Sequence, residues 1–425
     1  MLLTPAFASD YDETAQQLKD LGLFKGTDLG FDLDRAPTRT EAAVMLVRLL
    51  GAEEEAKTQY AAGTVSHPFT DVPEWADASV AWLYTNNLAK GVSDTAFGAT
   101  GQCTAKMFCT FVLRSLGYSD GSNGDFTFDS AEDFAENLGI YNTEMTDGTF
   151  LRDNAVFISY EALAETLKNT QTSLLEKLVA KGAVSDISAA NLLKKIKVYN
   201  IYEAAYYKWL DQTALDMTIN ESLKLTSTTL NVNASFEAKY KSKVIMTDSD
   251  VQIESIRTVI DGDNILTSSM WLKDGFIYVK SGSQKYKSYA GADQVNDLLY
   301  SEYASTKPIM YYLFSVGEIN TYQSAGDTIV NMNIPNYQIN LEDIQPDFED
   351  SDIQTVVVNS YTTTVELDSS GMIKTYTTKI NYTMTALAEG QTTKIDCEYV
   401  HTATVNTYGG TVWIQYPDFS DYALQ

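Results

Sequence analysis

Cysteine and histidine are nearly missing from this chain of 425 residues, which has three of the first and two of the second. Cys103, Cys109 and Cys397 cannot build a disulfide framework, and with His67 and His401 isolated there is neither metal-ligand spacing nor a Ser-His-Asp arrangement. Cys103 and Cys109 flank a helix start and read as small buried apolar residues. Basic charge is scarce as well. Lys and Arg number 30 against 57 Asp and Glu, giving a formal net charge of −27 and a pI near 4.3. No basic run occurs, and this argues against a nucleic-acid partner, whose phosphate backbone demands a dense basic patch. The acidity is spread out: residues 1–170 hold 26 Asp/Glu and 11 Lys/Arg, the remainder 31 and 19. No apolar run approaches the ~18 residues of a transmembrane helix. Glycine-rich phosphate loops and a Leu-Pro-x-Thr-Gly sorting motif are also absent. The acidic groups Asp28, Asp32, Asp34 and Asp347, Glu349, Asp350, Asp352 do not follow a calcium-loop pattern and read as solvated charge. No cofactor and no catalytic residue is expected, since even a glycosidase-type carboxylate pair has no local signature.

The first 170 residues do contain a repeated helix opening. Thr38-Arg39-Thr40-Glu41 runs into AVMLVRLLG, and Thr104-Ala105-Lys106-Met107 runs into CTFVLRSLG. Superposing the two threonines also superposes Arg48 on Arg114 and Gly51 on Gly117, at a constant offset of 66. A shared cap, apolar stripe and glycine stop point to a repeat architecture, whose units bury together the faces that none can bury alone. Thr38 and Glu41 have the spacing of a capping box, and Gly51 that of a C-terminal stop. Residues 10–60 make the first unit, with a helix from Tyr11 to Leu21. Residues 67–120 make the second, opening on Phe69-Thr70-Asp71-Val72-Pro73 before a helix bearing Trp75, Val80 and Leu83. Residues 121–169 make a third, with Arg152 at the start of its last helix.

These residues resemble the S-layer homology family, whose repeats carry a Phe-x-Asp-Val-Pro opening, Trp-Ala, a Gly-x-x-x-Gly segment and a Thr-Arg-Ala-Glu helix start. The matching positions are Phe69, Asp71, Val72, Pro73, Trp75 and Ala76, and Thr38, Arg39, Thr40 and Glu41. The resemblance covers about residues 10–169. The copies are unequal: Ala105 replaces the arginine, with Lys106 one position later, Met107 replaces the glutamate, and the third unit keeps Arg152 but little else. The resemblance implies an all-α bundle of three pseudo-threefold repeats whose grooves hold an anionic, pyruvylated secondary cell-wall polysaccharide. The residues implied are Arg39, Lys106 and Arg152 at helix starts, with Glu41, Asp71 and Trp75. Chemically, a helix N-terminus offers unpaired N–H groups and partial positive charge, an arginine fork suits a carboxylate, and several grooves add avidity. Plainer readings stand beside these: the cations pair with local acids, Trp75 anchors the core, and Asp71 caps the Trp75 helix.

From about Asp211 onward the chain changes character, with Thr, Val, Ile and Tyr dominating in alternation. Residues 170–204 read as a helical connector whose Leu174, Leu175, Leu178 and Val179 dock on the last repeat. In 205–425, strands are expected at 213–225, 230–247, 251–261, 265–273 and 275–288, then helices at 293–303 and 308–316. Further strands follow at 327–334, 353–366, 372–386, 391–406 and 410–415. This order resembles the lipoprotein-carrier (LolA-like) half-barrel, which implies an antiparallel β half-barrel with helices and a concave apolar interior. Alternate positions nominate Met217, Ile219, Phe236, Met270, Ile277, Tyr311, Leu313 and Met332 for that interior, as lining for a hydrophobic or amphipathic molecule or as plain core.

The expected architecture is therefore multidomain α + β. Residues 1–9, ending Ala6-Phe7-Ala8-Ser9, look like the remnant of a secretory signal peptide. Together these features describe a secreted bacterial cell-wall protein anchored non-covalently through its first half. The alternative is a structural or adhesive surface-layer protein whose β domain takes no small ligand, and a wall-anchored enzyme ranks third.

Overall fold

The computed structural model describes residues 11–425 apart from 29, 144–147, 248–249, 263, 336, 340–351 and 389–390. The signal-like residues 1–9 and the acids Asp347, Glu349 and Asp350 lie outside the described residues. The chain divides into two compact units. One comprises Ser9–Lys197 with Tyr312–Phe314; the other, among the described residues, comprises Val198–Tyr311 with Ser315–Gln425.

The first unit is helical. It contains α1 (Asp12–Asp20), α2 (Arg39–Leu49), α3 (Glu53–Ala61), α4 (Asp77–Thr85), α5 (Ala105–Ser115), α6 (Ala131–Asn137), α7 (Arg152–Ala162) and α8 (Leu174–Ala180), and α9 (Asp186–Leu210) begins in it. Helices α2, α5 and α7 are buried along almost their whole length, so apolar residues occur on every face rather than on one stripe, with a few buried polar residues among them. The Thr38–Glu41 capping box is present: Thr38 Oγ1 accepts from Glu41 N at 3.2 Å, and Glu41 Oε2 accepts from Thr38 N at 2.8 Å. Gly22, Gly51 and Gly117 all take positive φ, as helix stops require. Helix α3 carries no legible signal in the sequence, because its segment EEEAKTQYA buries only Ala56. The connector docks more widely than expected. Leu175 N bonds Leu163 O of the last repeat, while Ala183 and Leu178 pack on Gly51 of the first.

Among the described residues the second unit is built on one open twelve-stranded sheet. Its strands are β1 (Ala214–Ser227), β2 (Val232–Met246), β3 (Val251–Asp261), β4 (Asn264–Lys273), β5 (Phe276–Ser281), β6 (Gln284–Tyr289), β7 (Ile319–Ser324), β8 (Asp327–Asn333), β9 (Asp352–Leu367), β10 (Ile373–Ala388), β11 (Gln391–Tyr408) and β12 (Ala423–Leu424), with α10 (Ala292–Thr306) after β6. The order is β12-β6-β5-β4-β3-β2-β1-β11-β10-β9-β8-β7. Two antiparallel meanders are thus joined where β1 pairs with β11, and among the described strands only β12 runs parallel to its neighbour. The expected strand 275–288 is two strands, because Gly282 at φ 57° reverses the chain. Residues 308–316 are not helical; Tyr311 is instead held by hydroxyl bonds to Tyr361 at 2.6 Å and Thr363 at 2.8 Å. Strand β7 was not expected, and 410–415 forms no strand. The cluster of Val244, Ile253, Leu272 and Ala290, with Val295, Leu298 and Leu299 of α10 packed on it, marks the helix-bearing face.

Candidate functional site

The helical unit is closed by each buried helix docking on the loop of another repeat. At the start of α2, Arg39 N donates to Gly101 O at 2.8 Å, and Thr40 Oγ1 donates to Ala99 O at 2.9 Å. At the start of α7 the same geometry recurs on the first repeat's loop, where Arg152 N donates to Arg35 O and Asp153 N to Leu33 O. Residues 35 and 101 are related by the offset of 66 that relates the twin helices. On α5, the Phe108 ring meets Phe150, 5.6 Å away, just ahead of Arg152. These bonds overturn one expectation. The first N–H groups of α2 and α7 are not vacant anion receptors, since neighbouring loop carbonyls occupy them.

The two arginines differ in how they are satisfied. Arg39 is 8% exposed, with its guanidinium 4.9 Å from the Phe97 ring centre and 5.2 Å from that of Phe111. Its Nη2 donates to Lys90 O at 2.8 Å, but its Nε has no partner, and no carboxylate among the described residues lies within ion-pair distance. Burial pushes its pKa down from the ordinary arginine value. Arg152, 3% exposed, lies 5.6 Å from the Phe24 ring centre, donates from Nε to Phe31 O at 3.2 Å and contacts Met45 Sδ through Nη1 at 3.8 Å. Glu41 is committed to its capping box and to Arg35, whose Nη2 donates at 2.7 Å. Burial raises the Glu41 pKa, but Arg35 and the Thr38 donors outweigh it and hold it at about 2. Lys106 pairs with Asp129 at 3.3 Å and stands 5.7 Å from the Phe128 ring centre.

Two residues of the second repeat's opening behave otherwise than their plainer readings predict. Asp71 caps no helix. Its carboxylate accepts from the backbone N–H groups of Phe97, Gly98 and Ala99 at 2.7, 2.8 and 2.9 Å, which pins the loop that carries Arg39's aromatic partner. These bonds lower its pKa against the opposing effect of desolvation. Trp75 is not a core anchor: it is 62% exposed, on a 3-10 turn (Glu74–Ala76) that packs against α2. Core duty falls to Trp82, 7% exposed, whose Nε1 donates to Glu55.

In the β unit, strand register puts Met217, Ile219, Phe236, Met270, Ile277 and Met332 on one face, the face that bears α10. Met217, Ile219, Tyr311 and Met332 are fully buried core, whereas Phe236 is 39% exposed. Leu313 belongs to the helical unit, where its N–H and that of Phe314 donate to the buried Glu161 carboxylate at 2.8 and 2.9 Å. The same face holds a polar cluster that alternation alone did not reveal. Glu221 accepts from Tyr399 at 2.9 Å and lies 3.1 Å from His401 Nδ1, and His401 Nε2 lies 3.3 Å from the Tyr376 hydroxyl. Burial raises the Glu221 pKa, yet the His401 and Tyr399 bonds win and hold it at about 2.

No protein-family model matches the chain. Among curated proteins it is 31% identical over 123 residues to the middle cell wall protein of Brevibacillus brevis, covering 28% of this chain and 11% of that one. The surface layer protein of Brevibacillus choshinensis matches with the same identity and coverage. A cell surface protein of Thermoanaerobacter kivui is 24% identical over 334 residues, 76% of this chain and 40% of the relative. The chain thus spans from about a tenth to two fifths of the length of these relatives. Among solved structures, LprF from Mycobacterium bovis overlaps 52% of this chain and 97% of its own at 9% identity and a TM-score of 0.28. A DUF1329 family protein from Desulfovibrio piger overlaps 54% and 98% at 8% identity and a TM-score of 0.18. The fold rests on the strand register rather than on these overlaps. The sequence relatives make the chain a secreted cell-surface protein, and no described helix is long and apolar enough to cross a membrane.

Proposed function

We propose that the helical unit is an S-layer homology module that anchors the chain, without enzymatic activity, to an anionic secondary cell-wall polysaccharide. The observation that carries this reading is Arg39 at the start of α2, a desolvated guanidinium with an unpartnered Nε and no carboxylate of the described residues within ion-pair distance, set against the loop that Asp71 pins. A buried cation without a counter-charge is costly, and an anionic substituent such as a pyruvyl carboxylate supplies the missing partner. Exposed Trp75 offers an indole face to a sugar ring. Arg152, already bonded to a carbonyl and a thioether, and Lys106, already paired, contribute less to binding. The names of the wall and surface-layer relatives agree with this reading. The test is co-sedimentation of the full chain with isolated wall sacculi. Arg39→Ala and Trp75→Ala should each release it, with Arg152→Ala and Lys106→Ala milder, and undiminished binding after chemical removal of the polysaccharide would sink the idea.

A second role for the β unit has its own observation. At one end of the strands the helix-bearing face leaves apolar side chains in solvent among the described residues: Phe236 is 39% and Leu266 65% exposed on that face. Exposed apolar surface on a sheet face suits an apolar or amphipathic molecule. Binding of a fluorescent fatty acid by the full chain, lost in Phe236→Asp and Leu266→Asp, would support capture. No binding by the parent leaves the structural or adhesive reading standing.

A further inference from the structure

The opposite face of the same sheet runs against the chain's overall acidity. On β1 and β2 it carries Lys224, Lys239, Lys241 and Lys243, and on β4 to β6 it carries Lys273, Lys280, Lys285 and Lys287. Asp216, Glu237 and Glu254 oppose them on β1 to β3, and on the neighbouring β11 Glu398 stands directly across from Lys224 with Asp396 beside it, so the part of the face poorest in acids is the stretch around Lys239, Lys241 and Lys280. Four of the lysines are engaged by nearby residues: Lys243 by Glu254, Lys285 by Asp421, Lys273 by the Tyr416 ring and Lys287 by the Tyr278 ring. Lys224, Lys239, Lys241 and Lys280 are exposed, and among the described residues none has a carboxylate within ion-pair distance. Lys239 and Lys241 are two residues apart on β2, about 7 Å, and Lys280 lies three strands further on, about 14 Å away. A chain of net charge −27 that gathers unpaired lysines on one sheet face concentrates attraction for an anion there and nowhere else on those strands.

We infer that this lysine face is a second binding surface, separate from the helical unit, for a linear phosphodiester polymer of the cell wall. Lysine rather than arginine lines it throughout; a compact ammonium recognises point charge without the planar geometry that an arginine fork imposes on a carboxylate. A flexible chain carrying a phosphate every few bonds can satisfy cations spaced at about 7 and about 14 Å, and the cell-surface location puts such polymers within reach. The inference does not rest on the polysaccharide reading. The experiment uses the full chain with poly(glycerol phosphate), polygalacturonate and phosphatidylglycerol vesicles as separate probes at low ionic strength. The parent should bind poly(glycerol phosphate), more weakly as salt rises, and Lys239→Glu/Lys241→Glu/Lys280→Glu should lose about tenfold or more in affinity. The same charge change at Lys177, Lys194 and Lys197 should leave binding intact, and Lys239→Gln/Lys241→Gln/Lys280→Gln, gentler on the fold, should fall between. Equal affinity of parent and triple variant overturns the proposal. So does a preference for polygalacturonate or for vesicles, or lysine-dependent self-association in the absence of polymer.

Discussion

Glu221 shows what a single residue in this sheet contributes. Its carboxylate, 3.1 Å from His401 and bonded to Tyr399, is held at about 2 from an ordinary value of 4.5. A depressed acid stabilises the fold above its unfolded pKa, and that contribution is lost as pH falls through the folded pKa. The share from Glu221, on the order of 3 kcal/mol, should therefore be complete above about pH 4.5 and fade toward pH 2. Glu221→Gln should unfold at lower denaturant than the parent at pH 7, with the gap narrowing between those limits. A gap independent of pH would show that Glu221 acts by packing alone. Nothing in the sequence flagged this residue, because Glu221 and His401 are 180 residues apart and meet only through the β1–β11 pairing. Arg39 was legible from its motif, but not its burial between two rings or its unpartnered Nε.

Helix stops illustrate the next scale. Gly22 and Gly51 both end helices with positive φ and read alike in sequence, yet their surroundings differ. A Cβ at Gly22 would meet nothing within 4 Å, whereas one at Gly51 would lie 2.4 Å from Ala183 Cβ. Gly22→Ala should cost only the left-handed backbone term, about 1–2 kcal/mol, and Gly51→Ala distinctly more because the connector must shift. Equal denaturation midpoints for the two variants would contradict this docking. Strand elements were read well where alternation was long, as in β1 to β4 and β8 to β11. They were misread where a short turn or a tertiary anchor decided: Gly282 splits one expected strand, and the tyrosine hydroxyl bonds of Tyr311 replace an expected helix. Helix α3 was missed because it has almost no buried face to leave a period.

At the scale of the whole molecule, charge sets how each proposed partner is approached. A chain of −27 repels an anionic polysaccharide at long range, while the Arg39 contact is short-range and desolvated. Association with wall sacculi through the helical unit should therefore speed up as ionic strength rises, the opposite sign to the lysine face with poly(glycerol phosphate). Stopped-flow or surface-capture rates at two salt concentrations separate them, and a matching sign for both would mean that one surface accounts for both events. By itself the sequence determined the repeat, its capped and glycine-stopped helices, the change from α to β near residue 211, and six strand residues that share one face. Those are local patterns, fixed by spacing along the chain. Only the tertiary structure decided which of their polar groups are satisfied by distant partners and which side chains are left exposed. Loop carbonyls 59 or more residues away fill the N-termini of α2 and α7, Asp71 serves a loop rather than a helix, and Trp75 is left in solvent. Burial and hydrogen-bond satisfaction are sums over partners distant in sequence, and no local period encodes them.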